Sequence, residues 1–72
     1  MLPGERLSLH LTRRGRERGQ GVGYTEDGTM VVVEQGEGLV GQTVPVTVIN
    51  VIQTATGLLA FAKPLGGSEA TS

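Results

Sequence analysis

The chain is 72 residues long, a length that allows one small domain with a limited apolar core. It contains no cysteine and one histidine, which excludes a disulfide framework, cysteine ligands for a metal and a histidine-rich zinc site. Hydrophobic residues make up 38%, charged residues 18%, and the net charge is −1, a balance typical of a soluble globular domain. No apolar run approaches the roughly 20 residues of a spanning helix, so we expect no membrane contact by this chain and a cytoplasmic location.

The first predicted strand, residues 5–12, is marked by strict alternation of apolar and polar side chains. One face carries three leucines and the other carries polar groups, the period of a half-buried strand: Leu7, Leu9 and Leu11 against Arg6, Ser8, His10 and Thr12. The next segment, residues 13–21, contains three glycines and no hydrophobic side chain. We therefore predict a loop or a flared hairpin tip there.

Four further strands are predicted downstream, at residues 21–25, 29–34, 44–53 and 58–63. Asp27-Gly28 favours a tight hairpin turn between the second and third strands, because this dipeptide tolerates positive φ angles. In the fourth strand the apolar residues change parity at Val51, which predicts a bulge or bend near Ile49 and Asn50.

Five short strands with glycine-rich turns and no helical stripe predict an all-β fold, a small five-stranded OB-like barrel. Closure removes exposed strand edges and encloses a core with few residues, which suits a chain without disulfides or metal. The barrel domain is predicted over residues 5–64, after a short lead-in at residues 1–4. Residues 65–72 are predicted to be a disordered tail, and Leu39-Val40 is predicted to plug one end of the core.

The two aromatic residues, Tyr24 and Phe61, are candidates for stacking on nucleic-acid bases. Phe61 lies between Ala60 and Ala62, which leave room for one bulky neighbour, so we predict that Phe61 fills the core. Tyr24 follows a glycine and the arginine-rich segment, which favours a solvent-facing ring. Tyr24 and Val22 are two residues apart and therefore share one face of the strand, which favours the opposite orientation of the ring, into the barrel.

Charge is unevenly divided along the chain. Residues 1–25 carry five arginines and two glutamates, whereas residues 26–72 carry one lysine and five acids. Four of the arginines fall within six residues: Arg13, Arg14, Arg16 and Arg18. Because the guanidinium fork suits phosphate and can stack on bases, this segment predicts a finger that contacts nucleic-acid phosphates. The alternative is a solvated hairpin tip whose charges only aid solubility.

No catalytic constellation is visible. Ser8 and His10 share a strand face, yet side chains two positions apart on a strand lie about 7 Å from each other, beyond hydrogen-bonding reach. The acids occur in pairs at predicted turns and do not form the inward cluster of a two-metal nuclease: Glu26 with Asp27, and Glu34 with Glu37. We therefore predict that the chain is not an enzyme and holds no metal and no cofactor.

Several segments, taken in order, resemble a TRAM domain. The first half is carried by Gly-Gln-Gly-Val-Gly-Tyr at residues 19–24 and Asp-Gly-Thr-Met-Val-Val-Val-Glu at residues 27–34. The second half is carried by Gly-Gln-Thr-Val-Pro-Val-Thr-Val at residues 41–48. The closing residues 51–64 are most similar to the C-terminal TRAM domain of bacterial PIN/TRAM proteins. The resemblance covers residues 4–64.

This resemblance implies an OB-like barrel that binds RNA, such as tRNA or another structured or single-stranded RNA. It also implies a partner in cis, a PIN domain with nuclease-type acids, often behind N-terminal membrane helices. We expect contacts with the RNA backbone and little sequence specificity. The expected binding face comprises Arg13, Arg14, Arg16, Arg18, Tyr24, Lys63 and His10.

Two alternatives remain open at this point. The barrel could be a protein-interaction or regulatory module that docks on, or assembles, its parent PIN domain. Its docking surface would then be the acidic half of the chain: Glu26, Asp27, Glu34 and Glu37. The modest charge also fits a purely structural barrel.

Overall fold

The computed structural model describes residues 1–65 and contains five strands in chain order: β1 Arg6–Arg14, β2 Gly21–Tyr24, β3 Met30–Val33, β4 Thr43–Thr54 and β5 Gly57–Pro64. They form a closed barrel in the order β1-β2-β3-β5-β4. β3 and β5 are parallel, and every other neighbouring pair is antiparallel. The predicted five-stranded all-β barrel is confirmed, with strand ends shifted by one or two residues.

The barrel interior is filled by aliphatic side chains that alternate along the strands. Nine of them form one connected cluster: Leu9, Leu11, Val31, Val33, Val44, Val46, Val48, Ala60 and Ala62. Leu39 packs against this cluster from a one-turn 3-10 helix, Glu37–Leu39, in the connection between β3 and β4. The predicted plug is therefore confirmed for Leu39, while its neighbour Val40 is half-buried.

The β2–β3 connection is a turn organised by one carboxylate. Gly28 has a φ of 90°, the left-handed conformation expected of the Asp-Gly pair. The Asp27 carboxylate accepts hydrogen bonds from the Thr25 hydroxyl and from both the backbone N–H and the hydroxyl of Thr29. These bonds, that of the Thr25 hydroxyl foremost, hold the pKa of Asp27 below its ordinary value, so the turn keeps a fixed negative charge at neutral pH.

Two bulges decide which face of the sheet a side chain occupies. One, in β4 between Val48 and Asn50, lies where the sequence predicts it and turns Val51 towards the core. The other, in β1 between Leu11 and Arg13, is absent from the sequence-based prediction. Without it, Arg13 would continue the inward series of β1, and with it Arg13 pairs with Val22 on the outer face.

Phe61 lies on the outer face of β5, so the prediction that it fills the core is wrong. Its neighbours Ala60 and Ala62 are fully buried in the core cluster, whereas Phe61 is only half-buried and shares its face with the exposed Lys63. β5 lies between β3 and β4, whose inward positions are already filled by valines. The interior therefore accepts only small side chains from β5.

Of the predicted disordered tail at residues 65–72, only Leu65 lies within the described residues. The backbone N–H of Leu65 donates to the carbonyl of Pro45 at 2.9 Å, which fastens the end of β5 to β4.

Among residues 1–65, no helix has both the length and the apolar character required to cross a membrane.

Candidate nucleic-acid interface

The bulge in β1 brings an arginine and a tyrosine together on the outer face. The hydroxyl of Thr12, the extra residue of the bulge, donates to the carbonyl of Val22 at 3.2 Å and ties the two strands at this point. Arg13 Nη2 then donates to Tyr24 Oη at 3.1 Å. Tyr24 is 47% exposed, so the prediction of a solvent-facing ring is confirmed. The pair presents a cation and an accessible aromatic ring side by side.

Arg14 points to the opposite side of the sheet and has an acidic partner. Its Nε lies 3.4 Å from Glu37 Oε2, and Glu37 Oε1 accepts a hydrogen bond from the backbone N–H of Gly19 at 3.0 Å. The Glu37 carboxylate therefore links both sides of the β1–β2 connection to the 3-10 helix. Part of the Arg14 charge is neutralised by this contact, which distinguishes Arg14 from the other three arginines.

Arg16 and Arg18 lie in the connection between β1 and β2, and both are exposed. The connection is braced at its base, because the backbone N–H of Gly15 donates to the carbonyl of Gln20 at 2.8 Å. Neither arginine has a carboxylate within ion-pair distance among residues 1–65. Their guanidinium groups are therefore displayed on a short ordered tip beside the Arg13–Tyr24 pair.

Next to this pair, apolar side chains cover the outer face across four strands. Two rows run along the ladder partners: Arg13, Val22, Val32, Phe61 and Asn50 in one, and Tyr24, Met30, Leu59 and Ile52 in the other. Val22 and Val32 are buried although they lie outside the core cluster, so neighbouring side chains cover them from the outside. The result is an apolar surface that begins at an arginine and a tyrosine.

The remaining predicted contacts lie apart from the arginine tip. Lys63 pairs with Thr47 of β4, which pairs in turn with Arg6 of β1, and β3 separates the strand of Lys63 from β2. His10 Nδ1 lies 3.0 Å from Thr43 Oγ1, and His10 lines a surface groove together with Tyr24. The structure thus brings together Arg13, Tyr24 and His10, but not Lys63.

Glycine is required in β2 because other backbone segments approach it closely. A Cβ at Gly21 would lie 2.7 Å from the carbonyl oxygen of Gly36, and one at Gly23 would collide with the carbonyl oxygen of His10. This approach holds the Arg13 and Tyr24 strands together.

The four acids of the alternative docking surface lie at two ends of β3. Glu26 and Asp27 belong to the β2–β3 turn, whereas Glu34 and Glu37 follow the end of β3. Two of the four are already engaged, Asp27 within its turn and Glu37 with Arg14. Within residues 1–65, no group of three or more acidic, histidine or cysteine side chains is placed to hold a metal ion.

A closed β-barrel with a basic, aromatic outer face is an architecture of nucleic-acid-binding modules. The family model described as "TRAM domain" matches residues 2–54. The chain belongs to the TRAM domain family, as its sequence motifs predict. TRAM domains are binding domains rather than catalytic ones, and RNA binding is the general role of the family.

Relatives of the chain carry a PIN domain as well. The chain is 52% identical over 63 residues to a PIN and TRAM-domain containing protein of Synechocystis, a match that covers 88% of this chain and 18% of that protein. It is 47% identical over 64 residues to the corresponding Bacillus subtilis protein, covering 89% of this chain and 18% of that protein. A Thermus thermophilus protein, named for its position in the scsB 5′ region, is 47% identical over 66 residues. This match covers 92% of the present chain and 71% of that protein.

The chain therefore spans about a fifth of the length of the first two relatives. No solved structure matches the chain significantly.

Proposed function

We propose that this barrel is an RNA-binding module that contacts the RNA backbone with little sequence specificity. The observation that carries the proposal is the Arg13–Tyr24 pair, held at 3.1 Å on the outer face by the bulge in β1. A guanidinium group beside an exposed aromatic ring can bind a phosphate while the ring stacks on a base of the same RNA strand. Neither contact depends on the identity of the base.

The arginine tip supplies long-range attraction in this proposal. Arg16 and Arg18 have no acidic partner among the described residues, and Arg13 uses one of its donors on a neutral hydroxyl, so three guanidinium charges remain for phosphates. Arg14 shares its charge with Glu37 and serves mainly to fix the connection. Lys63 and His10 would extend the contact to either side, as expected from the sequence.

The apolar rows supply a surface for unstacked bases. Phe61 lies two strands from Tyr24, with β3 between them, so their backbones are about 10 Å apart across the sheet. Single-stranded segments can place separate bases on two such rings, whereas a regular duplex keeps its bases stacked within the helix. We therefore include Phe61 in the binding face and expect single-stranded RNA, or loops of structured RNA such as tRNA, to bind better than duplex RNA.

In the longer proteins the module would act beside a PIN domain. This part of the proposal rests on relatives that carry both domains. The barrel would hold RNA while any cleavage belongs to the PIN domain, and the chain itself would be no enzyme. In this proposal the module acts in the cytoplasm.

Salt-dependent binding of the purified chain to fluorescent RNA tests the proposal. Three arginines at about −0.7 per phosphate contact give a slope of about −2 for log affinity against log salt on single strands. The double variant Arg16→Gln/Arg18→Gln should reduce the slope to about −1. A matched control, Arg6→Gln, removes an arginine outside the tip and should leave more of the slope intact.

Three outcomes would contradict the proposal. They are an absence of RNA binding at low salt, an affinity that does not change in the double variant, and equal losses in the double variant and the control. Docking on a PIN domain would remain the better explanation if the isolated chain ignored RNA but bound that domain tightly.

A further inference from the structure

A groove of about 500 Å³ lies at the end of β2 opposite the β1–β2 connection, and Tyr24 and His10 are among the residues that line it. One wall is β1 at residues 7–10, and the other is the end of β2 with its following turn, residues 24–27. Met1 and Glu5 line it as well. Its volume is within the range of about 300–1,000 Å³ typical of ligand pockets.

The groove exists because β1 and β2 separate at this point. Their ladder begins only at the pair of Leu11 with Gly23, and β2 ends one residue later at Tyr24. β1 nevertheless continues back to Arg6 and remains paired with β4 throughout. The first part of β1 therefore has a strand neighbour on one side only, in a barrel that is otherwise closed.

The backbone groups on the open side can be assigned from the bonding on the other side. The carbonyl of Glu5 accepts a hydrogen bond from the Val48 N–H, and Leu11 donates to the Gln42 carbonyl and accepts from the Gly41 N–H, all on the β4 side. Directions alternate along a strand, so Leu7 and Leu9 also face β4, whereas Arg6 and Ser8 face the groove. Ser8 lies opposite Pro45 in the β1–β4 ladder. Pro45 has no N–H to donate to Ser8, which agrees with the Ser8 backbone groups facing the groove and not β4. Arg6 and Ser8 thus offer two N–H and two C=O groups to the groove.

The charge around the groove is acidic. Glu5, Glu26 and Asp27 line it, and the hydrogen bonds within the turn keep Asp27 ionised at neutral pH. Leu7 and Leu9 provide apolar wall beneath these carboxylates. These carboxylates repel phosphate groups, so the part of the groove beyond Tyr24 is unsuited to RNA. An extended chain with basic side chains would meet both the unpaired strand edge and the carboxylates.

We propose that this groove binds an extended peptide segment with alternating basic and apolar side chains, which adds a strand to the open edge of β1. Main-chain hydrogen bonds to Arg6 and Ser8 supply the affinity, as in other cases of strand addition. Side chains on one face of the added strand lie against Leu7, and basic groups on its other face pair with Glu26. The groove shares Tyr24 and His10 with the proposed RNA face, so the peptide and RNA compete for this part of the barrel.

The test uses a fluorescent, end-blocked peptide, Val-Lys-Val-Lys-Val, in anisotropy titrations with the whole chain. Two control peptides isolate the two interactions: Val-Glu-Val-Glu-Val reverses the charge, and a version with N-methyl groups on alternate residues removes the main-chain donors. We expect only the unmodified basic peptide to bind. Its addition should slow the hydrogen exchange of the Arg6 and Ser8 amides, measured by NMR.

Variants of the chain test the same two interactions. Glu26→Lys should weaken peptide binding about fivefold, because a favourable surface ion pair becomes repulsive. Glu17→Lys, the same change at an exposed position outside the groove, should have no effect. Ser8→Pro removes the N–H that faces the groove and should abolish binding, whereas Ser8→Ala should retain it.

The proposal fails if the acidic or the N-methylated peptide binds as well as the basic one. It also fails if exchange at Arg6 and Ser8 is unchanged, or if no binding is seen up to about 1 mM peptide. Should Ser8→Pro fail to fold, the N-methylated peptide still decides the strand-addition step. Self-association of the chain that protects the same amides would assign the edge to a second copy and overturn the proposal.

Discussion

The two faces of the β3–β5 pair differ in the size of their side chains. Towards the core, both strands carry small or β-branched residues that are fully buried: Val31, Val33, Ala60 and Ala62. Towards the outside the same strands carry larger groups, and Phe61 is only half-buried. The most bulky apolar residue of the region is thus on the face that leads to solvent.

This contrast shows that a five-stranded barrel limits the volume of its inward side chains more strictly than that of its outward ones. β5 contributes alanines because the facing valines of β3 and β4 already fill the interior. The outer apolar side chains are free of that limit and remain available for a ligand. Hydrophobicity on the inner face therefore serves stability, and on the outer face it would serve the proposed recognition of RNA.

The inner face should show the largest effect on stability. Leu11→Ala removes a side chain that is 0% exposed and should lower the free energy of unfolding by about 2–5 kcal/mol. Leu58→Ala makes the same chemical change at a residue that is 39% exposed, where we expect a loss below about 1 kcal/mol. Denaturant unfolding of both variants measures the difference. Equal losses would mean that burial does not set the cost of removing these two side chains.

Close approach between strands should give the next largest effect. Gly23→Ala forces a methyl group onto the carbonyl of His10 and the side chain of Leu9, so we expect a loss of about 1–3 kcal/mol. Gly38→Ala is the matched control, because a Cβ there meets nothing within 4 Å. Thermal unfolding should separate the two, and a Gly23→Ala variant as stable as its control would exclude close packing of β1 on β2.

The aromatic pair should affect binding more than stability. Phe61→Ala and Tyr24→Ala should each cost about 1–3 kcal/mol in affinity for single-stranded RNA, since each removes a stacking surface. Their effect on unfolding should be about 1 kcal/mol. Leu58→Ala, at a residue that is 39% exposed and lies outside the two apolar rows, should cost little stability and retain RNA affinity. If Phe61→Ala alone unfolded the chain, the ring would be part of the core after all.

The smallest effect is expected from pH at the β2–β3 turn. The folded-state pKa of Asp27 is held below its ordinary value of 3.8 by hydrogen bonds, so its contribution to stability is present above that value. It is lost as the pH falls through the lower, folded pKa. Asp27→Asn should therefore be less stable than the parent at neutral pH, and the difference in Tm should shrink below about pH 3.8. A constant difference between pH 7 and pH 2 would contradict this assignment.

The sequence predicts the strands well because their alternation is strong. Leu7, Leu9 and Leu11 define the inward face of β1, and the change of parity at Val51 correctly predicts the bulge in β4. The bulge in β1 has no such marker, because residues 13–21 contain no hydrophobic side chain to show the parity. The outward turn of Arg13, on which the candidate site depends, could therefore not be predicted from periodicity.

Phe61 is the opposite case, because the sequence contains evidence for its outward position alongside stronger evidence for an inward one. The small neighbours Ala60 and Ala62 favoured an inward ring, yet Lys63 shares the parity of Phe61 and a lysine seldom points into a core. The ion pair of Arg14 with Glu37 was unpredictable for a different reason, since 22 residues separate the partners and only the fold brings them together. Local patterns locate elements, but long-range pairs need the closed barrel.

The position of β5 between β3 and β4 has a consequence for how the chain reaches its native state. β5 is last in sequence, yet it pairs with both neighbours and completes the ring. During synthesis, β1 to β4 emerge first and cannot close, so the edges of β3 and β4 stay open until Pro64 has left the ribosome. Closure then requires a parallel pairing between distant segments, which is slow compared with hairpin formation. A growing chain is therefore most prone to aggregation just before its last strand is complete, and truncation before β5 should yield a product that chaperones retain.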